Sequence, residues 1–138
     1  MRRLSTVVGV ATAALVVAYL VHRRRPASRV ARLVRASSAH YNAKRYEESL
    51  QAALDALNVA LSEVPKSPEH LGALLHVACV RSAMGNYEDA MQAVDQLIAL
   101  TEEVHGTDSL LLIPALHAKA EVCEQSEGDG RPLALAAE

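Results

Sequence analysis

The sequence predicts an all-α protein: an N-terminal transmembrane helix followed by a short α-solenoid of about two and a half helix pairs. Three observations predict it. Residues 4–21 carry no charge and lie between Arg2 and Arg3 on one side and Arg23, Arg24 and Arg25 on the other. From about residue 27 onward, apolar residues recur at helical spacing and nowhere alternate as in a strand. The helical stretches fall into pairs, with Tyr46 and Tyr87 at matching places, 41 positions apart (87 − 46).

The apolar run is long enough to span. Eighteen helical residues rise about 27 Å, close to the hydrocarbon thickness of a bilayer. A cleaved secretory signal has a shorter apolar core with small residues behind it. Here Tyr19, Leu20, Val21, His22 and three arginines follow. A matrix-targeting presequence is amphipathic rather than continuously apolar. Residues 1–25 therefore read as an uncleaved anchor that meets the membrane through residues 4–21. Arginines 23, 24, 25, 29, 32 and 35 lie behind the run and only Arg2 and Arg3 before it. That bias predicts that the following domain faces the cytosol.

The formal charge of −2 hides a division. Residues 1–35 hold eight arginines and no acid, giving +8, and residues 36–138 hold six Lys or Arg against sixteen Asp or Glu, giving −10. So acidic a domain argues against nucleic acid and favours basic peptides or basic protein faces. Cys79 and Cys123 form no framework of the secreted kind, which suits a reducing compartment. Trp and Phe are absent, so the core must be built from Leu, Val and Ala. Such a core buries little area per residue and predicts modest stability.

The elements follow in order. Pro26 opens a short connector, and helical periodicity starts near Ala27 or Ser28 with Val30, Leu33 and Val34. A break is expected at Ala43–Arg45. Tyr46, Leu50, Ala53, Leu54, Leu57 and Leu61 mark the next apolar face, which ends before Pro65. Ser67-Pro68-Glu69 is a helix start: serine caps, proline suits the first helical position and the acid suits the positive helix end. That helix runs to Met84 and stops at Gly85-Asn86. Tyr87 to about Val104 is the next, closed by His105-Gly106. Thr107, Asp108 and Ser109 offer caps to a helix over 110–125, which Pro114 either starts or kinks. Gly128, Asp129, Gly130 and Pro132 end the ordered domain, residues 26–127, and leave 128–138 as a tail.

The pairs resemble each other. The stretch Tyr46-Glu-Glu-Ser49 compares with Tyr87-Glu-Asp-Ala90, and Gly85-x-Tyr87-x-x-Ala90 has Ala78 seven residues before its glycine. This pattern resembles the tetratricopeptide repeat, in the longer-helix variety of kinesin light chains, over residues 30–127. In the first pair the resemblance is weaker, because Lys44 stands at the glycine position and Ser49 at the alanine. Only the first helix of a third pair is expected, with His117, Ala120 and Cys123 along it.

The resemblance implies a peptide-binding groove lined by the first helix of each pair. In that register the groove residues are Ser38, Tyr41 and Asn42, then Leu75, Cys79 and Ser82, then His117, Glu121 and Glu124. The family's clamp for a chaperone's C-terminal carboxylate has no counterpart, since Val34, Ser38 and His76 fall at its positions. Glu121 and Glu124 suit a basic or amphipathic ligand. No phosphate loop, hydrolase elbow or zinc-protease motif is present, and no cofactor or enzymatic activity is expected. His76-x-x-Cys79 with His117 and Cys123 lacks the spacing of zinc modules and reads as packing. Anchor, basic flank and small acidic helical domain together resemble, in architecture, the signal-anchored import receptors of the mitochondrial outer membrane. A receptor-like interaction module is thus the leading expectation; a structural subunit of a membrane complex, oligomeric or not, and an organelle-surface adaptor are the alternatives.

Overall fold

Five helices make up the computed structural model, which describes the backbone of residues 2–130 and 133 and, within these, all side chains but those of residues 2–8, 10, 11 and 21–24. They are α1 (Arg2–Asn42), α2 (Tyr46–Glu63), α3 (Pro68–Ala83), α4 (Tyr87–His105) and α5 (Leu112–Gly128). Each packs antiparallel on the next across a short connection. In addition α1 meets α3, and α3 meets α5. The odd helices thus form one layer and α2 and α4 the other, with α3 at the centre.

The turns show why the chain folds back where it does. At the end of α3, Gly85 N–H donates to Ser82 O at 3.0 Å and Asn86 N–H to Arg81 O at 2.8 Å. This is the Schellman arrangement, which needs a left-handed residue; Gly85 supplies φ 82°. At the end of α1, Lys44 N–H donates to Tyr41 O at 3.0 Å and Arg45 N–H to His40 O at 2.9 Å. Every donor and acceptor is displaced by 41 positions, and Lys44 itself takes φ 61°. After α5, Gly130 N–H donates to Glu127 O at 3.0 Å with φ 70°. Ser67 caps α3 as expected, accepting from His70 N–H at 3.2 Å, with Pro68 in the first turn.

The helices cross at small residues. Ala78 of α3 and Ala90 of α4 are fully buried. The positions 41 earlier are Ser37 of α1 and Ser49 of α2, both at 0% exposure. Ser37 Oγ donates to Ser49 O at 2.8 Å, and Ser49 Oγ donates to Ser37 O at 2.7 Å. The two hydroxyls therefore satisfy each other's helices at a crossing too close for larger side chains. Around these points lie an upper core of Ala53, Val77, Met91, Val94 and Val122, and a lower one in which Val30, Ala56, Ala60 and Ala73 join α1, α2 and α3. Leu74, Leu97 and Ala115 join α3, α4 and α5.

One expectation is corrected. Among the described residues no helix is long and apolar enough to cross a membrane, so the N-terminal transmembrane helix is not found. The continuous run of described uncharged side chains covers residues 12–20, about 13 Å of helix and less than half a bilayer's hydrocarbon thickness. It belongs to one 41-residue helix that continues through Pro26 and bears Arg25, Arg29, Arg32 and Arg35. No connector separates a span from the domain. The side chains of residues 4–8, 10, 11 and 21, on which the apolar run also rested, lie outside the described residues.

Three substitutions test this account by chemical denaturation. Lys44→Gly removes a side chain from a left-handed position and is expected to stabilise by roughly 0.5–1 kcal/mol, the relief of strain exceeding glycine's extra entropy in the unfolded chain. Ser49→Ala alone should destabilise by about 1–2 kcal/mol, because one donor is lost and Ser37 loses a partner. The double change Ser37→Ala with Ser49→Ala should cost less than the sum of the two single changes, since it recreates the Ala78–Ala90 crossing.

Candidate functional site

The α3–α5 boundary carries the two clefts of interest. On α3 the positions concerned are Pro68, Leu71 with Gly72, Leu75, then Cys79 and Ser82, a single stripe at helical spacing. On α5 and the residue before it they are Leu111, Pro114 with Ala115, Ala118, Glu121 with Val122, and Gln125, again one stripe. The two stripes face each other along the parallel helices, so the clefts are two stations on one seam.

The upper station, at the turn end, is small and polar, with a volume of about 50 Å³. Tyr41 of α1 closes it opposite Cys79, Ser82, Glu121 and Gln125. The Tyr41 ring sits edge-on to Tyr46 at 5.5 Å between centroids. Burial, with the neighbouring Cys79, Tyr46 and Glu121, pushes the Tyr41 phenol above its ordinary pKa. Burial and then the Glu121 carboxylate push the Cys79 thiol up as well. Both effects favour the thiol over the more nucleophilic thiolate at Cys79. Ser82 is buried and donates its hydroxyl to Gln125 Oε1, latching α3 to α5. Glu121 remains half exposed and is the open charge of this station, with His117 Nδ1 3.6 Å away one turn earlier on α5.

The lower station is larger, about 350 Å³, and almost wholly apolar. Leu71, Leu75, Leu97, Leu111, Pro114 and Ala115 line it, with Thr101 and His105 of α4. The Thr101 hydroxyl is already used on Leu97 O at 2.7 Å, so it offers no free donor. Gly72 lies on its wall in the middle of α3. A Cβ built there would meet no atom within 4 Å. Glycine inside a helix destabilises by roughly 0.5–1 kcal/mol relative to alanine, and no close approach at this position requires it.

Of the nine residues expected to line a groove, the structure brings Tyr41, Cys79, Ser82 and Glu121 together at the upper station and places Leu75 at the lower one. Ser38, Asn42, His117 and Glu124 line neither cleft. His117 and Glu124 are exposed on α5, Asn42 is exposed at the end of α1, and Ser38 is half-buried within it. Sequence reasoning missed Gln125, the partner of Ser82, and the whole α4 contribution of Leu97, Thr101 and His105. The signal that could have found the lower station is Gly72, an unexplained glycine in a helical stripe. Among the described residues no three His, Cys, Asp or Glu side chains group as metal ligands. No family model matches the chain, and neither a curated protein nor a solved structure matches it.

Two histidines of α3 give the domain a pH dependence. His70 Nδ1 accepts from Lys66 N–H at 3.0 Å, bracing a second left-handed lysine with φ 58°. Among the described residues, the buried Nδ1 of His76 has no hydrogen-bond partner. Burial holds both imidazoles below their ordinary 6.5. The unfolded chain therefore takes up protons at about 6.5, before the native state does, so each neutral histidine contributes stability above that pH and loses it as the pH falls toward its lowered native value. Urea midpoints should accordingly drop between about pH 7.5 and pH 5.5, and His70→Asn with His76→Leu should flatten that drop. An equal drop in the double variant would assign the effect to other groups.

Proposed function

We propose that this chain is a protein-interaction module, a small tetratricopeptide-like helical repeat, that binds a basic amphipathic segment of a partner protein along the α3–α5 seam. The observation that carries the reading is the seam itself. Matching stripes of two parallel helices leave an open apolar station and, about two helical turns along the same seam, an exposed carboxylate, Glu121, in a region with a formal charge of −10. The equivalent turns at Lys44 and Gly85, and the small-residue crossings 41 positions apart, support the repeat assignment. Basic amphipathic segments are the chemistry of organelle-targeting presequences, and precursor recognition is the specific form of this reading. A membrane-spanning tether is no part of it.

The test is titration of a labelled basic amphipathic peptide into the full-length chain. Binding should be present at about 0.1 M salt and weaken toward 1 M, as the screening length falls from about 10 Å to about 3 Å. Glu121→Lys should weaken it roughly fivefold at low salt while the helical content is unchanged. Absence of binding, with copurification of the chain in fixed stoichiometry with a single complex, would make the protein a structural subunit instead.

A further inference from the structure

We infer that the apolar cavity at the lower end of the seam is the anchor subsite for the segment bound at Glu121. It takes two large aliphatic or aromatic side chains, one turn apart on an amphipathic helix, whose Lys or Arg two turns away reaches Glu121. This rests on the reading given under Proposed function and adds to it the ligand's spacing and the residue that keeps the site open.

Three observations point there. The first is steric. Gly72 is helical, it lines the cavity, and nothing lies within 4 Å of where its Cβ would stand. Packing does not call for the glycine, and its lack of a side chain leaves the cavity wall open at this point. A helix that forgoes a stabilising side chain beside an apolar cleft matches the trade of stability against function seen at binding sites.

The second is chemical. A cavity of about 350 Å³ is at the lower end of the range for ligand sites and larger than one side chain needs. Its walls are mainly leucine, proline and alanine, the buried Thr101 hydroxyl is bonded internally, and His105 brings an exposed imidazole. Apolar side chains would lose water here against mainly apolar walls, whereas a ligand's polar groups would meet few partners beyond that imidazole. Leu111 on the rim is 54% exposed, so the cavity opens to solvent through an apolar edge.

The third is register. Gly72 and Cys79 lie on the same stripe of α3, and Cys79 faces Glu121 across the upper station. Seven helical residues rise about 10 Å, so the centre of the apolar station and the carboxylate stand about two helical turns apart. A bound helix laid along the seam repeats that rise. Its apolar pair and its cation must therefore be separated by the same two turns, and the charge complements Glu121.

The experiment uses three helical peptides of about 18 residues with one composition, long enough to populate a helix. Each carries a Leu pair one turn apart and a single Lys placed one, two or three turns beyond it. Against the full-length chain, the two-turn peptide should bind about two- to fivefold more tightly than the others, the worth of one exposed ion pair. Glu121→Gln should abolish that preference. Gly72→Leu fills the cavity from its own wall; it should weaken all three peptides at least about tenfold, while its melting temperature equals or exceeds that of the unsubstituted chain. Leu111→Asp, at the exposed rim, should give the same loss and serves if Gly72→Leu does not fold. Unchanged binding in a folded Gly72→Leu or in Leu111→Asp, with Glu121→Lys still weakening the peptides, overturns the cavity's role and leaves the interaction reading standing. No binding of any peptide at low salt overturns both.

Discussion

Close approach of antiparallel helices at small residues is the constraint on which everything else here depends. A chain without Trp or Phe cannot fill wide spaces between helices. It must bring backbones together, with Ala78 and Ala90 buried in one cluster and Ser37 bonded to Ser49. Small side chains bury little apolar area, so stabilisation comes from the many short-range contacts that close packing allows. In the first pair the serines add directional bonds, each hydroxyl reaching the carbonyl beside the other. That arrangement fixes the rotation of α1 on α2 as well as their distance. The turn chemistry follows from the same constraint, since helices this close leave room only for a tight left-handed reversal.

Much of this was legible in the sequence, and what was not has physical reasons. Gly85 announces its turn because glycine alone takes positive φ freely. Lys44 conceals the same turn, since nothing in a lysine signals a left-handed backbone; only the 41-residue offset from Gly85 points to it. Ser49 reads as a departure from alanine until its partner Ser37 is seen across the crossing. The limits of α2, α3, α4 and α5 came within a few residues of their expected places, because capping serine, proline and glycine act locally. The cluster Thr107, Asp108 and Ser109 is the exception: α5 begins at Leu112, after a turn in which Ser109 Oγ accepts from Leu111 N–H at 3.1 Å.

Two larger features escaped a reading along the chain. The first is the continuity of α1. A charge-free run bounded by arginines and proline suggests a separate spanning element, but a helix tolerates both, and α1 carries its arginines without interruption to Asn42. The second is the apolar cavity. The register taken from the repeat landmarks placed Tyr41, Cys79, Ser82 and Glu121 on one groove, and these four line one cleft between α3 and α5. It gave no account of α4, whose Leu97 and Thr101 close the cavity from behind. Empty space is made by three helices at once and has no spacing of its own in the sequence.

The central place of α3 has a thermodynamic consequence. No close backbone approach links α1 or α2 to α4 or α5; every such path runs through α3. The two halves of the bundle therefore share one helix as their common wall, and neither can loosen without disturbing it. A ligand lying along the α3–α5 seam holds that wall in its native place. Its binding energy is then felt at Ser37 and Val30 as much as at Glu121, and occupancy raises the melting temperature of the whole domain in proportion to RT ln(1 + [L]/Kd) rather than quieting a single edge.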